Sequence, residues 1–246
     1  MSIANRSTEP TERTARPVRE LMDDPACPEH VLRPNLVALG RLNRLTGAVA
    51  IVLEYLDRLA PRWQASRRDG APLSLLDVAT GGADIPRAVV RWASARGVPV
   101  RVVGVDRHPA AVRIAARASA AVPQITVVRA DARALPFADG AFDACLCTIS
   151  LHHLEPADRP ALLRRLDRLG RRGFLVVDLV RSPAAYAGIW LLTRAFRDPL
   201  IRADGPSSVR RAYSWDEYRR AAADAGIHEL TVRRLRGFRA ALERLR

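Results

Sequence analysis

Lysine is absent from this chain of 246 residues. All 40 basic residues are arginine, and against 26 acidic ones they leave a net charge of +14. They stand as scattered pairs (Arg67-Arg68, Arg164-Arg165, Arg171-Arg172, Arg210-Arg211, Arg219-Arg220, Arg233-Arg234). No block reaches the roughly five or six like charges that mark a nucleic-acid tail. Aromatic interleaving of the kind that stacks bases is missing too. Nucleic acid is therefore not the expected partner. The arginines read as solvated faces, with a field able to steer an anionic substrate. Cysteine is scarce: Cys27, Cys145 and Cys147 do not build a disulfide framework, which fits a reducing cytoplasm. Cys145 and Cys147 lie two apart on an expected strand and share a face. No Cys/His cluster stands near them, so no metal site is expected. No apolar run reaches the ~18 residues of a membrane span. The N-terminus lacks the apolar core of a secretory signal. The dinucleotide fingerprint G-x-G-x-x-G is missing, and so is any internal repeat.

What remains is ample for one large domain with its own core. Residues 1–17 are polar and without period, and read as a disordered tail. Residues 18–66 read as a helical arm starting around Glu20-Leu21. Leu36, Leu39, Leu42 and Leu45, then Val49, Val52, Leu53 and Leu56, recur at helical spacing. Residues 67–246 form the main domain. Its organising stretch is Leu75 to Pro86. Leu73 to Val78 is a short buried strand carrying a carboxylate, Asp77. Ala79-Thr80-Gly81-Gly82 is a tight turn, Asp84 is placed to cap a helix, and Pro86 fits its first turn. Strand, turn and helix start together make a nucleotide-type cradle.

The following strands repeat the pattern. Val100 to Val105 ends at Asp106, one βαβ unit after Asp77. In a parallel sheet both carboxylates then sit at the carboxyl ends of adjacent strands, where ribose recognition needs an acceptor. Ile125 to Val128 is followed by Asp131-Ala132 and by Phe137. Phe142 to Ile149 runs into His152-His153. Gly173 to Val177 ends at Asp178. A histidine oriented by a carboxylate is a general-base pair. A strand-end histidine is often only structural.

In order and spacing these motifs resemble the class I S-adenosylmethionine-dependent methyltransferases over about residues 70–235. The spelling Asp77-Val78-Ala79-Thr80-Gly81 is most similar to the ubiquinone/menaquinone biosynthesis branch. Two departures mark the loop: Ala79 and Ala83 stand where glycines are usual. A third lies after the fourth strand, where Leu151-His152-His153 replaces a Phe-Gly-x-Arg-Asn stretch. The resemblance implies an α/β fold, a Rossmann-like seven-stranded mostly parallel sheet flanked by helices, with the arm lying over cofactor and substrate. It implies S-adenosylmethionine held by Asp77, Ala79, Thr80, Gly81, Asp106, Arg107, Asp131, Ala132 and Thr148. Phe137 is placed to line the adenine pocket or to pack in the core. His152, Asp178 and, as second choice, His153 are the candidate catalytic residues. His152 stands beside Asp178 if the fourth and fifth strands are neighbours, as in the family.

Residues 181–213 read as a lid-like insertion. Tyr186, Trp190, Leu191, Leu192 and Phe196 form an aromatic-apolar stripe, and Asp204 to Ser208 reads as a loop. Arg210-Arg211 would face a phenolate or carboxylate. Ser214 and Glu217 form a capping box, and Gly226 ends that helix. Two last strands are expected near 229–235 and 238–242. The expected reaction is methyl transfer to a small aromatic or polyketide-like metabolite, by O-methylation with His152 as base. C-methylation of a quinone-type precursor and a non-catalytic methyltransferase-like partner remain open. A dinucleotide-dependent oxidoreductase and an RNA methyltransferase are weaker alternatives. A homodimer remains open.

Overall fold

A computed structural model describes residues 24–66 and 70–246. The expected tail, the start of the arm before Asp24 and the Arg67-Arg68 pair lie outside the described residues. Among the described residues the first helix, α1, is Glu29–Leu45, with residues 24–28 ahead of it outside any helix, and α2 is Ala48–Ser66. The domain continues as β1 Leu73–Val78, α3 Asp84–Ala95, β2 Val100–Asp106, α4 Pro109–Ala118, β3 Ile125–Arg129, β4 Ala144–Thr148, α5 Asp158–Leu169 and β5 Gly173–Leu179. Then follow α6 Pro183–Thr193, α7 Pro199–Arg211, α8 Trp215–Ala225, β6 Thr231–Leu235 and β7 Arg239–Leu245.

The seven strands form one sheet in the order β3-β2-β1-β4-β5-β7-β6. All neighbours pair in parallel except β7, which is antiparallel to both β5 and β6. Side chains alternate between the two faces, as the pleat demands. Leu73, Leu75, Val102, Leu146 and Val177 bury one face against Tyr55, Leu59 and Trp63 of α2 and Trp92 of α3. Leu76, Cys145, Cys147, Phe174 and Val176 bury the other against Leu162, Leu163 and Leu166 of α5 and Tyr218 of α8. The two strand cysteines thus share a core face. α2 is accordingly a core helix rather than part of a cover, and only α1 reaches the carboxyl edge.

Local chemistry sets the helix boundaries. Ser214 and Glu217 close their reciprocal capping box, and Gly226 ends α8 in the left-handed region at φ 62°. Residues 181–213 form two helices instead of one helix and a loop. Asp204-Gly205-Pro206-Ser207-Ser208 reads as a breaker, yet it lies inside α7. Asp198 caps that helix through Leu200 N–H, at 2.8 Å. Ser207 and Ser208 return their hydroxyls to the carbonyls of Ala203 and Asp204, each at 2.9 Å. These bonds and the burial of Pro206 and Val209 outweigh the missing proline N–H.

Candidate active site

The strand order reverses between β1 and β4, and a crevice opens there at the carboxyl ends, where open α/β sheets take their ligands. Its volume is about 480 Å³. The β1–α3 turn forms its floor. Thr80 Oγ1 donates to Asp77 Oδ2 at 2.7 Å, beneath the turn. A Cβ at Gly104 would stand 2.8 Å from Thr80 Oγ1, so the bare backbone of β2 is what lets this threonine fit. Gly81 N–H donates to Asp106 Oδ2, and His108 N–H to Asp106 Oδ1, both at 2.9 Å. Asp106 therefore clasps the first loop to the second at the edge of the cleft, and each oxygen has a second lone pair with which to accept.

Ala79 and Ala83 adopt the left-handed conformation themselves, at φ 58° and 56°. The loop keeps the shape that glycines would give it, at a cost of ~1–2 kcal/mol per alanine. Ala83 is also the residue before the helix, so Asp84 does not cap: it opens α3 as its first residue. Its carboxylate instead accepts from Asn43 Nδ2 of α1, at 3.1 Å. α1 can come this close because Gly40 has no side chain; a Cβ there would lie 3.0 Å from that of Asp84. Leu36 of the same helix covers Gly81 and Gly82. His108 extends the seam. Its ring Nδ1 accepts from Ala110 N–H at 3.1 Å, so Nε2 carries the proton and donates to the Asp24 carbonyl at 2.9 Å.

The cleft is acidic although the chain is strongly basic. Asp77, Asp84, Asp106, Asp131, Glu155 and Asp158 line it, against Arg107 and Arg133. Burial, seconded by the nearby Asp84 and Asp106, pushes the Asp77 carboxyl up to about 7, with the Thr80 hydrogen bond opposing. Burial likewise raises Asp84. Asp131 is lowered, chiefly because the Arg133 side chain hydrogen-bonds it. Crowded, partly neutralised carboxylates suit a cationic ligand. Asp77 also links stability to pH. Between the ordinary carboxylate range and pH 7 the unfolded chain carries this group ionised and the folded protein carries it protonated. Stability therefore falls as pH rises through that window. Asp77→Asn is expected to flatten the fall and to raise stability at neutral pH by roughly 2–4 kcal/mol. Urea unfolding of both proteins without ligand, at about pH 5 and about pH 8, checks it. Equal slopes in the two would exclude Asp77 as the source.

At the β4–β5 side, His152 and Asp178 meet as the sequence predicts. His152 Nδ1 lies 2.7 Å from Asp178 Oδ1, and His152 N–H donates to Oδ2 at 2.8 Å. Leu179 N–H adds a third bond to the carboxylate at 2.8 Å. Burial pushes the Asp178 carboxyl up, but His152 and these hydrogen bonds more than offset it, and the group sits below its ordinary range. An ionised Asp178 fixes the proton of a neutral imidazole on Nδ1 and leaves the lone pair on the buried Nε2. His152 is among the residues that line the cleft, but its side chain shows 0% of its surface to water. The His153 ring leans over it, centroids 4.2 Å apart. Between the strand and this pair, Ile149 is held at φ 51°, a conformation that a β-branched side chain rarely adopts.

Residues 75–173 match the family model described as Methyltransferase domain. The demethylmenaquinone methyltransferase of Thermus thermophilus is 35% identical over 127 residues, which are 51% of this chain and 55% of the relative. The 2-phytyl-1,4-naphtoquinone methyltransferase of Synechococcus elongatus is 30% identical over 148 residues, 59% of this chain and 55% of the relative. The fold of an S-adenosylmethionine-dependent methyltransferase from Aquifex aeolicus superposes with a TM-score of 0.57 at 18% identity, covering 86% of this chain and 96% of that one.

Over residues 75–173 the chain is similar to the methyltransferase domain, and its fold is that of the class I S-adenosylmethionine-dependent methyltransferases.

The chain spans about half the length of the curated relatives it matches. S-adenosylmethionine is the cofactor of this class, and the cleft of the methyltransferase domain fits it: acidic for a sulfonium, with two free lone pairs on Asp106. All the residues expected to bind it (Asp77, Ala79, Thr80, Gly81, Asp106, Arg107, Asp131, Ala132, Thr148) line this one cleft, as do His152 and His153. Other expectations separate from it. Phe137 packs edge-on to Phe142, centroids 5.0 Å apart, away from the cleft. From residues 181–213 only Ser208 lines the cleft. Arg210 stacks instead on Tyr186, 4.8 Å from the ring centre, and bonds its hydroxyl. Asn43, Gly104 and His108 were not singled out from sequence. Asn43 and Gly104 act through partners far along the chain, Asp84 and Thr80, and no local pattern marks them, whereas His108 caps α4 just before Pro109 and only its bond to Asp24 is distant.

Proposed function

We propose that this chain transfers a methyl group from S-adenosylmethionine to a small aromatic or polyketide-like acceptor, by O-methylation of a hydroxyl with His152 as general base. The observation that carries the reading is one crevice lined both by a carboxylate-rich cradle, in a chain of charge +14, and by His152, which pairs with the buried Asp178 behind it. Asp106 would accept the ribose hydroxyls. Asp131 and Ala132 would meet the adenine edge, and the Asp77–Gly81 turn with Thr148 and Arg107 would hold the rest. The bound cofactor supplies a methyl group already activated on a positive sulfur. The protein's part is then to align the acceptor, keep water out and take the hydroxyl proton. His152 Nε2 is the group to take it, with Asp178 stabilising the imidazolium that forms. The 0% side-chain exposure of His152 keeps that charge in a dry site.

C-methylation of a quinone-type acceptor is the second reading. It is favoured by the names of the curated relatives, both quinone methyltransferases. The first experiment is calorimetric titration with S-adenosylmethionine and, separately, S-adenosylhomocysteine, followed by labelled-methyl transfer to phenols and naphthoquinones. Micromolar binding and label on oxygen are expected. Label on carbon selects the second reading. No binding and no transfer would leave a non-catalytic partner protein.

A further inference from the structure

Helix α6, Pro183–Thr193, carries no charged residue, and only Ala185 and Thr193 are buried. Trp190 is 45% and Leu191 69% exposed. A helix against water ordinarily shows it a polar face, and this one shows an apolar face instead. Its surroundings are cationic. Arg194 stacks on Trp190, 4.5 Å from the ring centre. Arg181 flanks the other end, paired with Glu217 at 2.9 Å. Beyond Phe196 the surface continues into a groove beside α1, lined by Arg33, Val37, Arg41, Phe196, Arg197 and Asp198. Val37 there is 51% exposed. The acidic group in this groove, Asp198, is already engaged in capping α7 through its Oδ1.

We propose that α6 and the arginine-rimmed groove beside it dock on an anionic lipid bilayer, with Trp190 and Leu191 entering the headgroup boundary and Arg33, Arg41, Arg194 and Arg197 meeting lipid phosphates. An exposed apolar helix bordered by arginine, with tryptophan at its edge, is what an interfacial anchor requires. At 11 residues the helix is about 16 Å long, so it lies on the bilayer and does not span it. A second copy of the chain is the poorer occupant, because pairing two such faces brings like charges together. α7 packs on α6 and lends Ser208 to the catalytic cleft, so the same helical pair borders both surfaces.

The test is co-sedimentation of the full chain with vesicles, without methyl donor, so that it stands apart from the catalytic reading. Binding is expected to phosphatidylcholine vesicles containing about 30% phosphatidylglycerol and not to pure phosphatidylcholine, with release in about 0.5 M salt. Trp190→Ser combined with Leu191→Ser is expected to lower binding about tenfold or more while leaving the thermal midpoint in place. Three outcomes overturn the proposal. One is no binding to the anionic vesicles at low salt. Another is equal binding by the double variant, which would mean only diffuse attraction of a basic chain. The third is a dimer that the double variant dissolves with no vesicle binding, which would give the face to a second copy.

Discussion

Asp106→Ala is expected to raise the dissociation constant of S-adenosylmethionine about a hundredfold or more. Two effects combine. A carboxylate accepting two hydroxyl protons contributes about 1.5–3 kcal/mol per bond. The same carboxylate clasps Gly81 N–H and His108 N–H, so its loss also loosens the two loops that shape the cradle. Asp106→Asn keeps one oxygen acceptor and nearly the same shape, and about a tenfold loss is expected of it. Calorimetry with both S-adenosylmethionine and S-adenosylhomocysteine separates hydrogen bonding from charge. If Asp106 binds the ribose, the two ligands lose affinity alike, because both carry it. If it acts only as one charge of the acidic cleft, the sulfonium compound alone weakens. Unaltered affinity for both would remove Asp106 from the cofactor site.

This prediction was legible in the sequence, and the reason is geometric. A parallel sheet with alternating helices sends every strand's carboxyl end to one edge, so Asp77, Asp106, Asp131 and Asp178 had to gather there. Their identity needed only strand ends, which short apolar runs mark well. Ala79 and Ala83 were conspicuous as alanines in a glycine loop, but their left-handed φ is a property of the folded turn. The seam between α1 and the cradle was not legible at all. Asn43 meets Asp84 across 41 residues of chain, through contacts that leave no period. The stretch Asp204 to Ser208 misled because its turn chemistry is strong locally. Capping by Asp198 and burial of Ile201, Pro206 and Val209 override it. Arg239 and Arg244 interrupt the apolar run of the last strand. Arg239 is nevertheless buried, its guanidinium bonded to the Thr46 carbonyl at the turn between α1 and α2. Glu243 is paired there with Arg58 at 2.6 Å. Partners from α1 and α2 make these charged positions acceptable in a strand, and a single strand's sequence does not reveal them.

His152 allows the sharpest test of mechanism, provided the variant respects the fold. His152→Ala would leave Asp178 as a buried carboxylate robbed of its imidazole, which costs about 3–5 kcal/mol and confuses any loss of turnover with loss of structure. His152→Asn is the better probe. Its amide Nδ2 can replace the Nδ1 donor to Asp178, while nothing replaces Nε2 as a base. Turnover is expected to fall by about 10²–10⁴, with the affinity for S-adenosylmethionine unchanged within about twofold. Asp178→Asn should lower turnover too, because the amide no longer holds the imidazole in the tautomer that presents Nε2. The two losses should not add, since both variants disable one pair. Acceptor acidity supplies the independent readout. A phenol that ionises readily needs little help from a base, so the defect in His152→Asn should shrink as the acceptor becomes more acidic. A carbon nucleophile already activated as its anion should show no defect. Wild-type turnover in His152→Asn across all acceptors would confine His152 and Asp178 to tying the end of β5 to the turn after β4.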